Sequence, residues 1–142
     1  MYRHILIPTD VSELAEHGVA HGVALAKCLG AKVSVIFVVE PFPELTGRFL
    51  ETIARYVELR KEQATSVLDR AANAAKEAGV FGETIQVENA QPHQGIIAAA
   101  EDKDCDLIVM SSHGRSGLSA LLIGSVTNKV LTHAKTPVLV CQ

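Results

Sequence analysis

A chain of 142 residues, 48% of them hydrophobic, is long enough for one compact domain with a core of its own. Only 4% is aromatic and tryptophan is absent, so that core is expected to be aliphatic and rich in alanine. The formal charge of −3 and pI near 6.0 argue against nucleic acid as the main partner, no apolar run approaches membrane-spanning length, and the first residues lack a signal-peptide core.

His4-Ile-Leu-Ile-Pro8 is a short apolar run that predicts a buried first strand, with Thr9-Asp10 at its carboxyl end. Asp10 followed by Glu13 has the look of a capping box, which predicts a first helix running to about Leu29 with Gly30 as its stop. Ala15, Val19, Gly22, Ala26 and Leu29 give that helix a stripe of small residues suited to close packing on a sheet. Lys32 to Glu40 is β-branched and almost wholly apolar, as in a strand covered on both faces. Pro41 to Gly47 is the least regular segment, open to reading as a closing loop or a plain connector.

A long helix is expected from about Phe49 to Ala78, ended by Gly79, with Ile53, Val57, Ala64, Val67, Leu68, Ala71, Ala75 and Ala78 on its apolar face. Glu83 to Asn89 alternates and predicts a third strand near a sheet edge. Pro92 opens a third helix reaching about Lys103. Cys105 to Met110 forms a fourth strand, and Val138 to Cys141, after Pro137, a fifth. Strands alternating with helices in this way predict a single-domain α/β fold, an open parallel five-stranded sheet with helices on both faces. No linker, internal repeat or low-complexity tract interrupts residues 1–142.

The stretch from Met110 to Asn128 organises the rest. The fourth strand gives way to Ser111, Ser112, Gly114, Ser116 and Gly117, and a helix begins near Gly124-Ser125 and runs through Val126, Val130 and Leu131. Strand, small-residue loop and helix start together bring unpaired N–H groups and the positive helix end to one spot, a cradle for phosphate. Such loops also turn chains without binding anything, and the loop alone leaves both readings open. It is not a P-loop, since no lysine precedes Ser125, nor a G-x-G-x-x-G dinucleotide turn. In open sheets of this type ligands bind beyond the carboxyl ends of the strands where their order reverses. That would set Pro8-Thr9-Asp10 beside Met110-Ser111 and the helix at Gly124: a carboxylate on one side and a phosphate cradle on the other, the layout a nucleotide needs.

Other residues invite weaker readings. His17 and His21 have a spacing two metal ligands could use, but no third ligand is apparent, and an exposed polar face is the default. Asp102, Asp104 and Asp106 read as turn chemistry. His113 could serve as acid or base, yet no positioned nucleophile accompanies it, so phosphate contact is the expected role. Arg115 is placed to meet a terminal phosphate or to be a solvated loop residue. The three cysteines, Cys28, Cys105 and Cys141, are far apart and read as buried thiols of a reducing cytoplasm.

Taken together, Ile5-Leu-Ile-Pro-Thr-Asp10 with Ser12, Phe37-Val-Val-Glu40, Pro92-His93, Asp106-Leu-Ile-Val-Met110, Ser112-His-Gly114, Gly124-Ser125-Val126 and Pro137-Val-Leu-Val140 resemble the universal stress protein family across essentially the whole chain. Its ATP-binding branch carries G-x-x-G-x9-G-[ST]. Gly114, nine residues and Gly124-Ser125 match that pattern, while Ser111 replaces the first glycine. A left-handed backbone at 111 would strain serine; a negative φ would leave its N–H in place and add a hydroxyl.

The resemblance implies a Rossmann-like, adenine-nucleotide α-hydrolase-like fold. It also implies a cytoplasmic, dimeric stress-response regulator that binds ATP, ADP or AMP, with Mg²⁺ or Mn²⁺ shared among phosphate oxygens. Pro8, Thr9 and Asp10 would line the adenosine, Asp10 holding ribose hydroxyls. Val38 would pack on and pair with the base, and Met110 would complete that wall. Ser111, His113, Gly114, Gly124, Ser125 and Val126 would surround the phosphates. The last strand, Val138 to Val140, would join two copies antiparallel through an apolar edge. A slow ATP hydrolase and a scaffold of the same fold that binds no nucleotide are the rival readings. A phospho-receiver is weaker, because Asp10 lacks an acidic neighbour and Lys135 precedes its strand.

Overall fold

Runs such as Ile5-Leu6-Ile7 and Val33 to Phe37 are buried on both sides because helices cover both faces of the sheet they form. In the computed structural model, which describes residues 1–42, 50–113 and 122–142, five strands alternate with four helices. They are β1 (His4–Thr9), α1 (Glu13–Leu29), β2 (Lys32–Val39), α2 (Leu50–Glu77), β3 (Gly82–Glu88), α3 (Pro92–Asp102), β4 (Leu107–Ser111), α4 (Ser125–His133) and β5 (Val138–Cys141). All pairings are parallel and the order is β3-β2-β1-β4-β5, the open doubly wound sheet expected.

Alternation along each strand sorts the core into two layers. Ile5, Ile7, Val33, Val35, Phe37, Leu107 and Val109 pack under α1 and α2, with Val19, Val23, Ala64 and Leu68. Leu6, Ile36, Ile108 and Met110 point the other way, against Ile96, Ala100 and Val130 of α3 and α4. The small-residue stripe of α1 is what lets it lie so near the sheet. A Cβ on Gly18 would come within 3.2 Å of the Ser111 backbone nitrogen, and one on Gly22 would collide with Ile7 Cδ1.

Element boundaries differ from expectation by one or two residues, and two of these differences bear on the site. Ser12, not Asp10, caps α1, its hydroxyl accepting from the Ala15 N–H at 3.1 Å. Asp10 instead accepts the Ser12 N–H at 2.7 Å and fixes the corner before the helix. The fourth strand also extends one residue further, so Ser111 closes β4 and does not open the loop. Gly30 and Gly79 end their helices with φ of 67° and 75°, the left-handed stops their positions predicted.

At the amino end of the sheet, polar residues interrupt the apolar strands. His4 Nε2 and Ser34 Oγ meet at 2.7 Å, Ser34 Oγ donates to Glu83 Oε1 at 2.7 Å, and Lys103 Nζ reaches Glu83 Oε2 at 3.3 Å. Asp106 accepts the N–H groups of Arg3 and His4. Burial, then the charge of Lys32, holds the His4 imidazole below its ordinary value of 6.5. Burial and the charges of Lys129 and His133 do the same to His93. Both rings therefore bind protons less readily in the folded chain than in the unfolded one. The stability linked to them is complete above the ordinary value and is lost as pH falls through the lower folded values. We expect the urea midpoint to drop between about pH 7.5 and pH 5.5, and His4→Gln to flatten that slope. A midpoint independent of pH over this range would contradict the assignment.

Candidate functional site

β1 has β2 on one side and β4 on the other, so the chain leaves their carboxyl ends in opposite directions and opens a gap between them. The gap is a cleft of about 550 Å³. Ten of the sequence-predicted site residues line it: Pro8, Thr9, Asp10, Val38, Met110, Ser111, His113, Gly124, Ser125 and Val126. Gly114 and Arg115 lie outside the described residues, as does most of the Pro41 to Gly47 connector.

The phosphate-cradle wall is a chain of hydrogen bonds among small residues. The Ser112 N–H donates to the Cys141 carbonyl at 2.7 Å, so the end of β5 holds the exit from β4. The Gly124 N–H donates to the Ser112 carbonyl at 2.7 Å, and the buried Thr127 hydroxyl donates to the Ser111 carbonyl at 2.9 Å. These two bonds fix the first turn of α4 over the end of β4. Gly124 caps the helix with φ −60° and ψ 155°, a conformation open to any residue, and it brings no capping side chain. The first-turn N–H groups at Ser125, Val126 and Thr127 lack intrahelical partners by construction and carry the positive end of the dipole.

Ser111 resolves the question its replacement of glycine raised. Asp104, at φ 52°, is the only non-glycine residue with positive φ among the described residues. Ser111 is therefore free of left-handed strain, and its hydroxyl donates to the His113 carbonyl at 2.8 Å. His113 is buried, with Nδ1 3.0 Å from the Ser112 hydroxyl, while Nε2 has no hydrogen-bond partner among the described residues. A buried imidazole nitrogen left unspent at the cradle is suited to a ligand oxygen.

Across the cleft stand residues that the sequence reading missed. Ile36, Pro92 and Ile96 extend the apolar wall beside Val38, and Gly95 of α3 lets Val38 approach, a Cβ there meeting Val38 Cγ2 at 3.1 Å. Glu40, Pro41, Tyr56 and Arg60 form the α2 side. Arg60 is buried, its guanidinium carbon 5.7 Å from the Phe37 ring centroid and its Nη1 donating to Gln63 Oε1 at 3.1 Å. Its Nε has no partner among the described residues. A buried donor left unspent costs about 1–3 kcal/mol, a cost that a partner in the cleft would offset. The signal that could have found it is its place in the stripe Ile53, Val57, Arg60, Ala64, Val67, a charged residue at helical spacing among apolar ones.

His17 and His21 are both exposed on α1, and no three His, Cys, Asp or Glu side chains converge among the described residues. Among the described residues, no helix is long and apolar enough to cross a membrane. Burial raises the thiol of Cys105 to about 11, which keeps it protonated and unreactive.

Known proteins resemble the chain over its whole length. A model of the universal stress protein family matches residues 1–142. Universal stress protein MJ0531 of Methanocaldococcus jannaschii is 38% identical, over all of this chain and 83% of its own length. The solved structure of MJ0577, a universal stress protein of the same organism, superposes with a TM-score of 0.79 at 31% identity, over 99% of this chain and 95% of that one. A universal stress protein from Archaeoglobus fulgidus in complex with dAMP shares the fold at 22% identity, with a TM-score of 0.74 over 99% and 98% of the two chains.

Proposed function

The chain belongs to the universal stress protein family, and from that premise we propose that it binds ATP, or another adenine nucleotide, in the cleft between β1 and β4 and acts through its bound state. The observation that carries this reading is the pairing of opposite chemistries in one cleft, the Asp10 carboxylate on one wall and the uncapped start of α4 on the other. Asp10 spends Oδ1 on the Ser12 N–H and keeps its second oxygen for a ribose hydroxyl. Val38, Ile36, Met110 and Ile96 offer an apolar slot for the base, with the Val38 backbone to pair its edge. The phosphates would lie at Ser125, Val126 and His113, with Gly114 added on the strength of the motif and Arg115 on its place in the sequence beside it.

That a relative of the same fold holds dAMP is consistent with an adenine site. With no cluster of protein ligands among the described residues, Mg²⁺ or Mn²⁺ would be carried by phosphate oxygens and water. The cellular role we infer is that of a cytoplasmic stress-response regulator. Its assembly is proposed as a homodimer through β5, which forms one edge of the sheet, has neither charge nor proline inside it, and leaves Leu139 44% exposed.

Two experiments test these points. In calorimetric titrations of nucleotide-stripped protein, Asp10→Ala should weaken ATP binding by about tenfold, one charge-assisted contact's worth, and Gly124→Val should weaken it as well by putting a side chain in the path of the phosphates. Equal affinity in both variants and the natural chain would remove the site. Val140→Glu should convert a dimer into monomers on size-exclusion with light scattering, and an intact dimer would refute the edge pairing.

A further inference from the structure

The α2 wall of the cleft holds a positive charge that the nucleotide reading leaves unused. Arg60 is 7% exposed and lines the cleft, and its Nε has no partner among the described residues. The two ion pairs among the described residues, Arg70–Glu16 and Lys103–Glu83, do not include it. Asp10 and Glu40 line the same cleft, but neither is paired with it. The contacts Arg60 makes among the described residues, with the Phe37 ring and with Gln63, hold the guanidinium in place and bring no negative charge to it.

Its position separates it from the phosphate cradle. Arg60 sits over Phe37 of β2, on the face covered by α1 and α2, whereas the cradle is built on the ends of β4 and α4. With β1 between them, β2 and β4 are two strand spacings apart, about 10 Å. One phosphate cannot engage both. Asp10, at the end of the intervening β1, spends only one acceptor site on a protein donor, so it can hold the ribose between the two. A ribose held there has the α2 wall on one side, where the buried guanidinium of Arg60 lines the same cleft and is suited to a phosphate oxygen.

We propose that the α2 wall, built on Arg60, is a subsite for a second phosphate carried on the 2′ or 3′ position of the ribose, so that the cleft prefers adenosine bisphosphates to AMP. The inference rests on the adenine-site reading. Its role is specificity: Arg60 distinguishes nucleotides by what the ribose carries, while the start of α4 takes the 5′-phosphate common to all of them.

The test is a set of titrations with AMP, adenosine 2′,5′-bisphosphate and adenosine 3′,5′-bisphosphate on the natural chain, Arg60→Lys and Arg60→Met. In the natural chain one of the two bisphosphates should bind at least about tenfold more tightly than AMP, the scale of one charge-assisted contact. Which one does so identifies the ribose position. The ratio of bisphosphate to AMP affinity should fall to about one in Arg60→Met and be intermediate in Arg60→Lys, which keeps the charge without the fork. Melting of the ligand-free proteins supplies a second readout, because replacing an unpaired buried cation with methionine should leave the apo protein as stable or more so. Equal affinity of AMP and both bisphosphates for the natural chain, or an undiminished preference in Arg60→Met, would overturn this inference alone. Failure of AMP and both bisphosphates to bind the natural chain would overturn the adenine-site reading with it.

Discussion

Everything at the carboxyl edge of this sheet depends on β1 having β2 on one side and β4 on the other. Parallel strands joined by crossovers on one side would send every connection the same way and leave no gap. Here α1 leaves β1 toward one face, and the chain returns to β4 only after β2, α2, β3 and α3. The cleft is thus a consequence of strand order, and its lining is whatever residues end β1, β2 and β4. Those ends are Pro8 to Asp10, Val38 and Met110 to Ser111, which is why residues far apart in the chain meet there.

The cleft is kept open by polar bonds rather than by bulk. Thr127 to the Ser111 carbonyl, Gly124 to the Ser112 carbonyl and Ser112 to the Cys141 carbonyl tie α4, β4 and β5 together using small side chains and backbone. Larger residues could hold these elements equally well but would fill the space between them. The same logic governs α1 and α3, where Gly18 and Gly95 let the helices sit against Ser111 and Val38. Among the described residues two buried side-chain atoms remain unspent, Nε2 of His113 and Nε of Arg60, and both belong to residues that line the cleft. Elsewhere among the described residues, buried side-chain polar atoms find partners, including the His4–Ser34–Glu83 network at the opposite end of the sheet. The stability cost is therefore concentrated where a ligand could offset it.

Much of this was legible in the residues. Apolar runs and glycine stops predicted every strand and helix to within a few residues, because periodicity and left-handed caps are local properties. Asp10 and the start of α4 were readable for the same reason. Val38 was not: a valine among valines in β2 carries no mark of a site, and only its place at a strand end beside the crossover distinguishes it. The start of α1 was misplaced because Asp10 and Ser12 both suit a cap, and the choice turns on which one the backbone bends toward. Ser111 looked ambiguous because its cost depends on φ, which a sequence does not carry. Arg60 was overlooked although a charged residue on an apolar helical stripe is a visible irregularity.

The central claim is that an adenine nucleotide lies across the β1–β4 crossing with its phosphates at the start of α4. Amide chemical shifts recorded while ATP and Mg²⁺ are added to isotopically labelled protein test it most directly. The account predicts saturable changes at Ser125, Val126, Val38 and Asp10, with the amino-end residues His4, Ser34 and Glu83 unaffected. Shifts confined to other surfaces, or none at saturating ATP, would contradict it.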